Sequence, residues 1–107
     1  NDDVYDAVAR ALSQMTDATG APLKLLRLPS PGFIGDEDEK PIPASHMNFL
    51  IANGAVIVPD YGNARAVDLV CQGLKTVFPD REIIPLSSIA ILSGGGSFHC
   101  ISQQEPA

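Results

Sequence analysis

The most unusual stretch of the chain is residues 94–102, where three consecutive glycines precede Ser97, Phe98, His99 and Cys100. Consecutive glycines cost backbone entropy, so they are expected where the chain needs torsion angles that other residues avoid, or where a ligand approaches the backbone. A cysteine just past such a turn can face a cavity, and its thiolate is a good nucleophile once its pKa is lowered. Cys100 is therefore a candidate nucleophile. The competing interpretation is a structural cysteine, because cysteine is among the most buried residue types.

The other side chains that could take part in catalysis or bind a metal are two histidines and a second cysteine. A strand predicted over residues 98–102 places His99 and Cys100 on opposite faces, so His99 is interpreted as structural and any base must come from elsewhere. His46 lies at the edge of a long loop and is expected to be exposed to solvent or to stabilise a turn. Cys71 is interpreted as a core residue of a helix. Two histidines and two cysteines without close pairing predict no metal site and no cofactor.

The first half of the chain combines a helix, a strand and a loop. Apolar residues recur every three or four positions and predict a helix over residues 3–16, with Gly20 at its end. The leucines of residues 23–28 predict a buried strand. Residues 29–46 are rich in proline and contain an acidic run, which predicts a long surface loop. This loop is interpreted either as a lid or binding loop or as a solvated acidic excursion.

The second half predicts a hairpin followed by a helix and two strands. Asn53 and Gly54 are suited to a type I′ turn between two short strands. A helix that ends near Phe78 is then predicted by an apolar stripe, which consists of Ala66, Val67, Val70, Leu74 and Val77. The further predicted elements are a buried strand over 81–86, a helical turn through 92 after Ser87 or Ser88, and a strand over 98–102. The helix–strand pair recurs roughly 60 residues along the chain, which is typical of a segment from a repeated architecture with uncovered sheet edges and helix faces.

Composition limits the classes of function. The 107 residues suit one small domain or a piece of a larger one. Lys and Arg total 7 against 13 Asp and Glu, a net charge of −6, so we expect neither nucleic acid nor a membrane surface as a partner. No apolar run approaches the roughly 20 residues of a membrane span. Two cysteines and no basic-then-apolar leader favour the reducing cytoplasm.

Several blocks of the chain resemble one enzyme family. Residues 94–107 are similar to the C-terminal active-site motif of the agmatine deiminases and the related Porphyromonas-type peptidylarginine deiminases. Residues 43–45 followed by 48–49, then residues 51–59 and 77–82, are similar to blocks that occur in this order in that family. The resemblance implies an α/β fold of the pentein type, a propeller of five two-strands–helix–strand modules around a pseudo-fivefold axis.

By this resemblance the chain holds about two of the five modules. Residues 1–28 correspond to the helix–strand end of one module, residues 47–86 to a full module, and residues 87–107 to the start of the last module. The family also has a Gly-His-X-Asp-type segment and an earlier acidic residue, which have no counterpart here. The resemblance therefore implies the C-terminal part of a longer enzyme, which holds the nucleophile without its base.

The chemistry that the resemblance implies is hydrolysis of a guanidinium group. Cys100 would attack the guanidinium carbon, ammonia would leave, and water would release a ureido product. Gly95 and Gly96 would let the guanidinium come close to the backbone. Ser97 stands where the family commonly has asparagine, and His46 where tyrosine is common, so the choice of substrate stays open.

Agmatine is the expected substrate, giving N-carbamoylputrescine and ammonia for putrescine and polyamine synthesis. The alternatives are deimination of peptidyl or free arginine to citrulline and, from another class, a non-catalytic interaction module. A homo-oligomer is a further expectation.

Overall fold

The computed structural model describes residues 2–107. Its elements, in chain order, are α1 (Asp2–Ser13), β1 (Leu50–Ala52), β2 (Ala55–Asp60), α2 (Ala64–Val77), β3 (Glu82–Ser87) and α3 (Ile89–Leu92). None of the helices within these residues has the length and apolarity needed to cross a bilayer.

The three strands form one sheet in the order β1-β2-β3. β1 pairs antiparallel with β2, with Leu50 opposite Ile57. β2 pairs parallel with β3, and α2 makes the crossover that a parallel connection requires. The predicted hairpin, second helix and following strand are therefore confirmed, and together they form a two-strands–helix–strand unit.

The turn of the hairpin differs from the prediction. Gly54 has a positive φ of 77°, whereas Asn53 does not have a positive φ. A type I′ turn needs positive φ at both central residues, so that turn type is wrong. The amide N–H of Glu82 at the start of β3 donates to the Gly54 carbonyl oxygen (2.9 Å), which ties the turn to the parallel strand.

The core lies between α2 and the sheet. Its fully buried members are Val56, Val58, Val70 and Leu74. The Asn63 side chain caps α2 by accepting from the Ala66 amide (3.1 Å), as expected for an asparagine at a helix start. One residue of the predicted apolar stripe, Val77, is 53% exposed. It is the last residue of α2 and faces an apolar groove beside residues 24–28 rather than the core.

The predicted strand over residues 23–28 is wrong. The segment has no regular secondary structure: within residues 2–107 it has no partner strand, and a strand exists only where a neighbour completes its hydrogen bonds. Leu28 packs against the core, and Leu26 lies over α2 at Gly73, where an added Cβ would be 3.3 Å from Leu26 Cδ1. Leu26 and Leu28 thus pack against α2 and the core without joining the sheet.

Three further predictions need correction. α1 ends at Ser13 and has no buried residue, while Gly20 lies in a separate turn around Asp17 with φ 84°. β3 is exposed along much of its length rather than buried. Residues 98–102 form turns rather than a strand: the Ile101 amide donates to the Ser97 carbonyl oxygen (3.2 Å).

Candidate functional site

Cys100 lies exposed in the turn that follows the glycines, and Asn48 holds it at two points. The Asn48 Nδ2 donates to Cys100 Sγ (3.0 Å), and the Cys100 amide donates to Asn48 Oδ1 (3.2 Å). The His99 amide also donates to the Asn48 carbonyl oxygen (3.3 Å). One residue just before β1 therefore orients both the side chain and the backbone of the candidate nucleophile.

These donors act on the ionisation of the thiol. The pKa of Cys100 is lowered, chiefly by the backbone N–H of Ser97, then by the Asn48 side chain, and to a smaller extent by its own N–H. Hydrogen bonds to the charged form stabilise that form, so the thiolate gains population at neutral pH. A larger thiolate fraction is what a nucleophilic cysteine needs.

The glycines shape the site in two ways. A Cβ at Gly96 would lie 2.8 Å from Cys100 Cβ and 3.0 Å from its Sγ, so only glycine allows the thiol to fold back over the turn. Gly95 has φ 86°, and an added Cβ there would meet nothing within 4 Å. Gly96 therefore makes room for the cysteine itself, whereas Gly95 supplies the backbone angle and leaves open space beside it.

The histidines do not join the thiol. His99 is exposed and contributes only backbone hydrogen bonds at this turn. The prediction that His99 and Cys100 lie on opposite faces of a strand is wrong, because residues 98–102 do not form a strand. Of the two alternatives for His46, exposure to solvent is wrong, because the residue is 1% exposed, and a turn-stabilising role remains. Its Nδ1 lies 2.8 Å from the Pro29 carbonyl oxygen, so the loop folds back over it.

Cys71 lies on α2, half-buried against the core, as predicted. Its pKa is raised, first by loss of hydration and then by the charges of Asp68 and Asp60. Both causes disfavour the thiolate, so this cysteine is poorly suited to act as a nucleophile. Within residues 2–107 no three His, Cys, Asp or Glu side chains come together in a group that could hold a metal ion.

Sequence reasoning missed the role of Asn48. The residue lies 52 positions before Cys100, so no local spacing connects the two. The only signal was its place in the pair of residues 48–49 that resembles the family. Ser97 was noted only as a departure from the family pattern, yet its backbone N–H is the main group that lowers the pKa of Cys100.

Comparisons with known proteins agree on one family. A model of the Porphyromonas-type peptidyl-arginine deiminases matches residues 1–106. A Lactococcus lactis protein assigned as an agmatine deiminase is 40% identical over 117 residues, which is 94% of this chain and 31% of that protein. The chain spans about a third of the length of the curated relatives it matches.

Solved structures are also similar. The agmatine deiminase of Enterococcus faecalis superimposes with a TM-score of 0.83 at 34% identity, covering 94% of this chain and 32% of that one. A Porphyromonas gingivalis structure assigned as an arginine deiminase has a TM-score of 0.85 at 33% identity, covering 94% of this chain and 29% of that one. The thiol site described above thus lies in a chain that belongs to the Porphyromonas-type peptidyl-arginine deiminase family.

Proposed function

We propose that the chain is the nucleophile-bearing C-terminal part of an agmatine deiminase. The observation that carries the proposal is the exposed Cys100 thiol, which accepts a hydrogen bond from Asn48 and whose pKa is lowered by the Ser97 N–H and by Asn48. The names and the 33–40% identity of the curated relatives support the substrate class. The relatives' lengths support a longer protein around the chain.

The reaction begins with a bond between Cys100 Sγ and the guanidinium carbon. The thiolate adds to that carbon, which becomes tetrahedral, and a C–N bond then breaks as the amino group takes a proton and leaves as ammonia. Water adds to the resulting amidino-thioether, and the S–C bond breaks to give the ureido product and the thiolate again. Water is the only co-reactant, and no electron is transferred.

Cys100, Asn48 and Gly95 have separate roles in this proposal. Cys100 is the nucleophile, and the two contacts from Asn48 hold its Sγ and its backbone amide in place. Gly95 offers open space above the backbone, where a planar guanidinium can lie beside the thiol. Gly96 belongs to the substrate-binding turn indirectly, since its missing Cβ is what lets Sγ reach that position.

Other groups must come from the remainder of the longer protein. Within residues 2–107 Asn48 is the one side chain that hydrogen-bonds to the thiol, so neither a general base nor a carboxylate is at hand. A guanidinium is cationic and planar, and carboxylates fix it by paired hydrogen bonds. We propose that further modules of a pentein ring supply the base and these carboxylates, and that residues 1–28, 47–86 and 87–107 belong to three consecutive modules.

The test is a ureido assay on the full-length protein that carries this chain. Agmatine, free arginine and a peptide with C-terminal arginine are compared at equal concentration. We expect ureido product from agmatine at the highest kcat/KM. No ureido product from any of the three would contradict a deiminase. Preference for either arginine substrate would favour the second candidate, an arginine or peptidylarginine deiminase. The family and the P. gingivalis neighbour are the observations that support this second candidate.

A further inference from the structure

His46 is buried in a way that fixes which of its nitrogens carries the proton. Its side chain is 1% exposed, and Nδ1 lies 2.8 Å from the Pro29 carbonyl oxygen. A carbonyl oxygen can only accept, so Nδ1 is the donor. In the neutral ring Nε2 is then an acceptor, and within residues 2–107 it has no hydrogen-bond partner.

The His46 backbone belongs to the turn that carries Asn48. The Asn48 amide closes this turn by donating to the Ser45 carbonyl oxygen (3.1 Å). The Tyr61 hydroxyl donates to the same oxygen (3.0 Å), and the Tyr61 ring lies 5.6 Å from the His46 ring. The turn is therefore fixed by Tyr61 on one side and by the contact between His46 and Pro29 on the other.

Asn48 transmits the position of this turn to the thiol. Its side chain contacts both Sγ and the amide of Cys100, at 3.0 and 3.2 Å. Hydrogen bonds weaken steeply with distance and angle, so a small rotation of the turn removes them. Nothing else among residues 2–107 donates a side-chain hydrogen bond to Sγ.

We infer that His46 is a positioning residue for Cys100: its Nδ1–H anchors the turn to Pro29 and thereby holds Asn48 where it can align the thiol. The inference rests on the proposed function only in taking Cys100 as the reacting group. It assigns to His46 no contact with substrate and no proton transfer. The hydrogen bond from Nδ1, and not the bulk of the ring, is the feature that matters.

Three substitutions of His46 distinguish the effect of its Nδ1 hydrogen bond from the effect of the bulk of its ring. In His46→Asn the side-chain amide nitrogen lies where Nδ1 lies, so it can still donate to Pro29. In His46→Gln the amide lies further out, near the place of Nε2, and His46→Leu is apolar with no donor at all. The measurement is the alkylation rate of each cysteine by iodoacetamide, resolved by mass spectrometry across a pH series, in the full-length protein.

We expect His46→Gln and His46→Leu to raise the pH at which Cys100 becomes reactive. A rise of about one pKa unit lowers the thiolate fraction, and hence the alkylation rate at neutral pH, about tenfold. His46→Asn should keep the wild-type profile. The rate at Cys71 should be unchanged in all three variants, because that thiol lies on α2, and its rate reports on general unfolding.

Equal Cys100 profiles in the wild type and all three variants would overturn the inference. So would an altered profile in His46→Asn equal to that in His46→Gln, because the ring and not its Nδ1 donor would then be required. If His46→Leu also raises the alkylation rate of Cys71, the Cys100 profiles of His46→Asn and His46→Gln alone test the inference. Unfolding of all three variants counts against the inference. Absence of ureido product from the wild type would remove the proposed function and leave this alkylation comparison intact.

Discussion

The two cysteines of the chain show how local backbone decides the reactivity of a thiol. Cys71 lies inside α2, where burial and two nearby carboxylates raise its pKa. Cys100 lies in a turn, where the Ser97 N–H and Asn48 lower its pKa. In the interior of a helix each N–H already bonds the carbonyl four residues earlier, so none is free for a side chain. A turn leaves some N–H groups without such a partner, and here the Ser97 N–H lowers the pKa of the Cys100 thiol.

Exposure alone does not account for the difference between the two sites. An exposed thiol without donors keeps its ordinary pKa, and burial adds only a penalty on the charged form. The turn at Cys100 is possible because Gly96 has no side chain and Gly95 adopts φ 86°. Gly95 and Gly96 therefore shape the turn that holds the thiol, and open space for a ligand remains beside Gly95.

The largest expected effect is on ureido production, which should depend on Cys100 and not on Cys71. In the full-length protein, Cys100→Ser should lower ureido production by about three orders of magnitude or more, because loss of a nucleophile removes the covalent route. The matched control, Cys71→Ser, should keep kcat within about threefold, since the thiol on α2 touches no reacting group. The ureido assay with agmatine measures both. Substantial turnover by Cys100→Ser would refute the assignment of the nucleophile.

Asn48 gives the next largest effect. Asn48→Asp keeps the shape of the side chain but puts a negative charge where Nδ2 donates to Sγ at 3.0 Å. Repulsion between like charges should raise the pKa of Cys100 and slow its alkylation at neutral pH by about tenfold or more. Asn48→Ala removes the donor without adding a charge and should slow alkylation less. If Asn48→Asp reacts as fast as the wild type, the contact does not tune the thiol.

The glycines give a smaller and position-specific effect. Gly96→Ala places a methyl group 2.8 Å from Cys100 Cβ, so the thiol must move away from its donors. We expect about a tenfold loss of Cys100 alkylation at neutral pH, the effect of roughly one pKa unit. Gly94→Ala is the control, because its methyl group would lie 3.4 Å from the Ile91 carbonyl oxygen, which is van der Waals contact, and would not meet Cys100. Equal effects of the two substitutions would show that the turn needs flexibility and not space at Gly96.

The smallest effect concerns stability at alkaline pH. The pKa of Cys71 in the folded chain lies above its ordinary value of 9.0, so between the two values the folded state keeps a proton that the unfolded state has lost. Stability then falls as the pH rises through this window. The thermal unfolding temperature of the wild type should therefore fall relative to that of Cys71→Ala as the pH rises above 9.0. A constant difference between the two across this range would contradict the raised pKa.

The elements that sequence reasoning predicted well are those with local signals. The apolar stripe of α2 and the Asn-Gly turn before β2 each lie within a few residues of the structure they produce. The stripe also named the buried residues Val70 and Leu74 correctly. A helix or a hairpin carries its own hydrogen-bond partners, so a short window of sequence is sufficient to predict it.

The predictions that failed needed information from elsewhere in the chain. The leucines of residues 23–28 look like a strand, but a strand requires a neighbour, which residues 2–107 do not offer. The same holds for residues 98–102, where the chain turns after the glycines to bring Cys100 back over Gly96. The contact between Asn48 and Cys100 joins residues 52 positions apart, and no periodicity reports such a pairing.

The most direct test is site-resolved mass spectrometry after brief exposure of the full-length protein to a haloacetamidine, which carries the flat cationic amidine of the substrate class beside an alkylating carbon. The account predicts a mass increase on the peptide that contains Cys100, slowed by added agmatine, while the peptide that contains Cys71 stays unmodified over the same time. Equal labelling of the two cysteines, or labelling of Cys100 that agmatine does not slow, would contradict it.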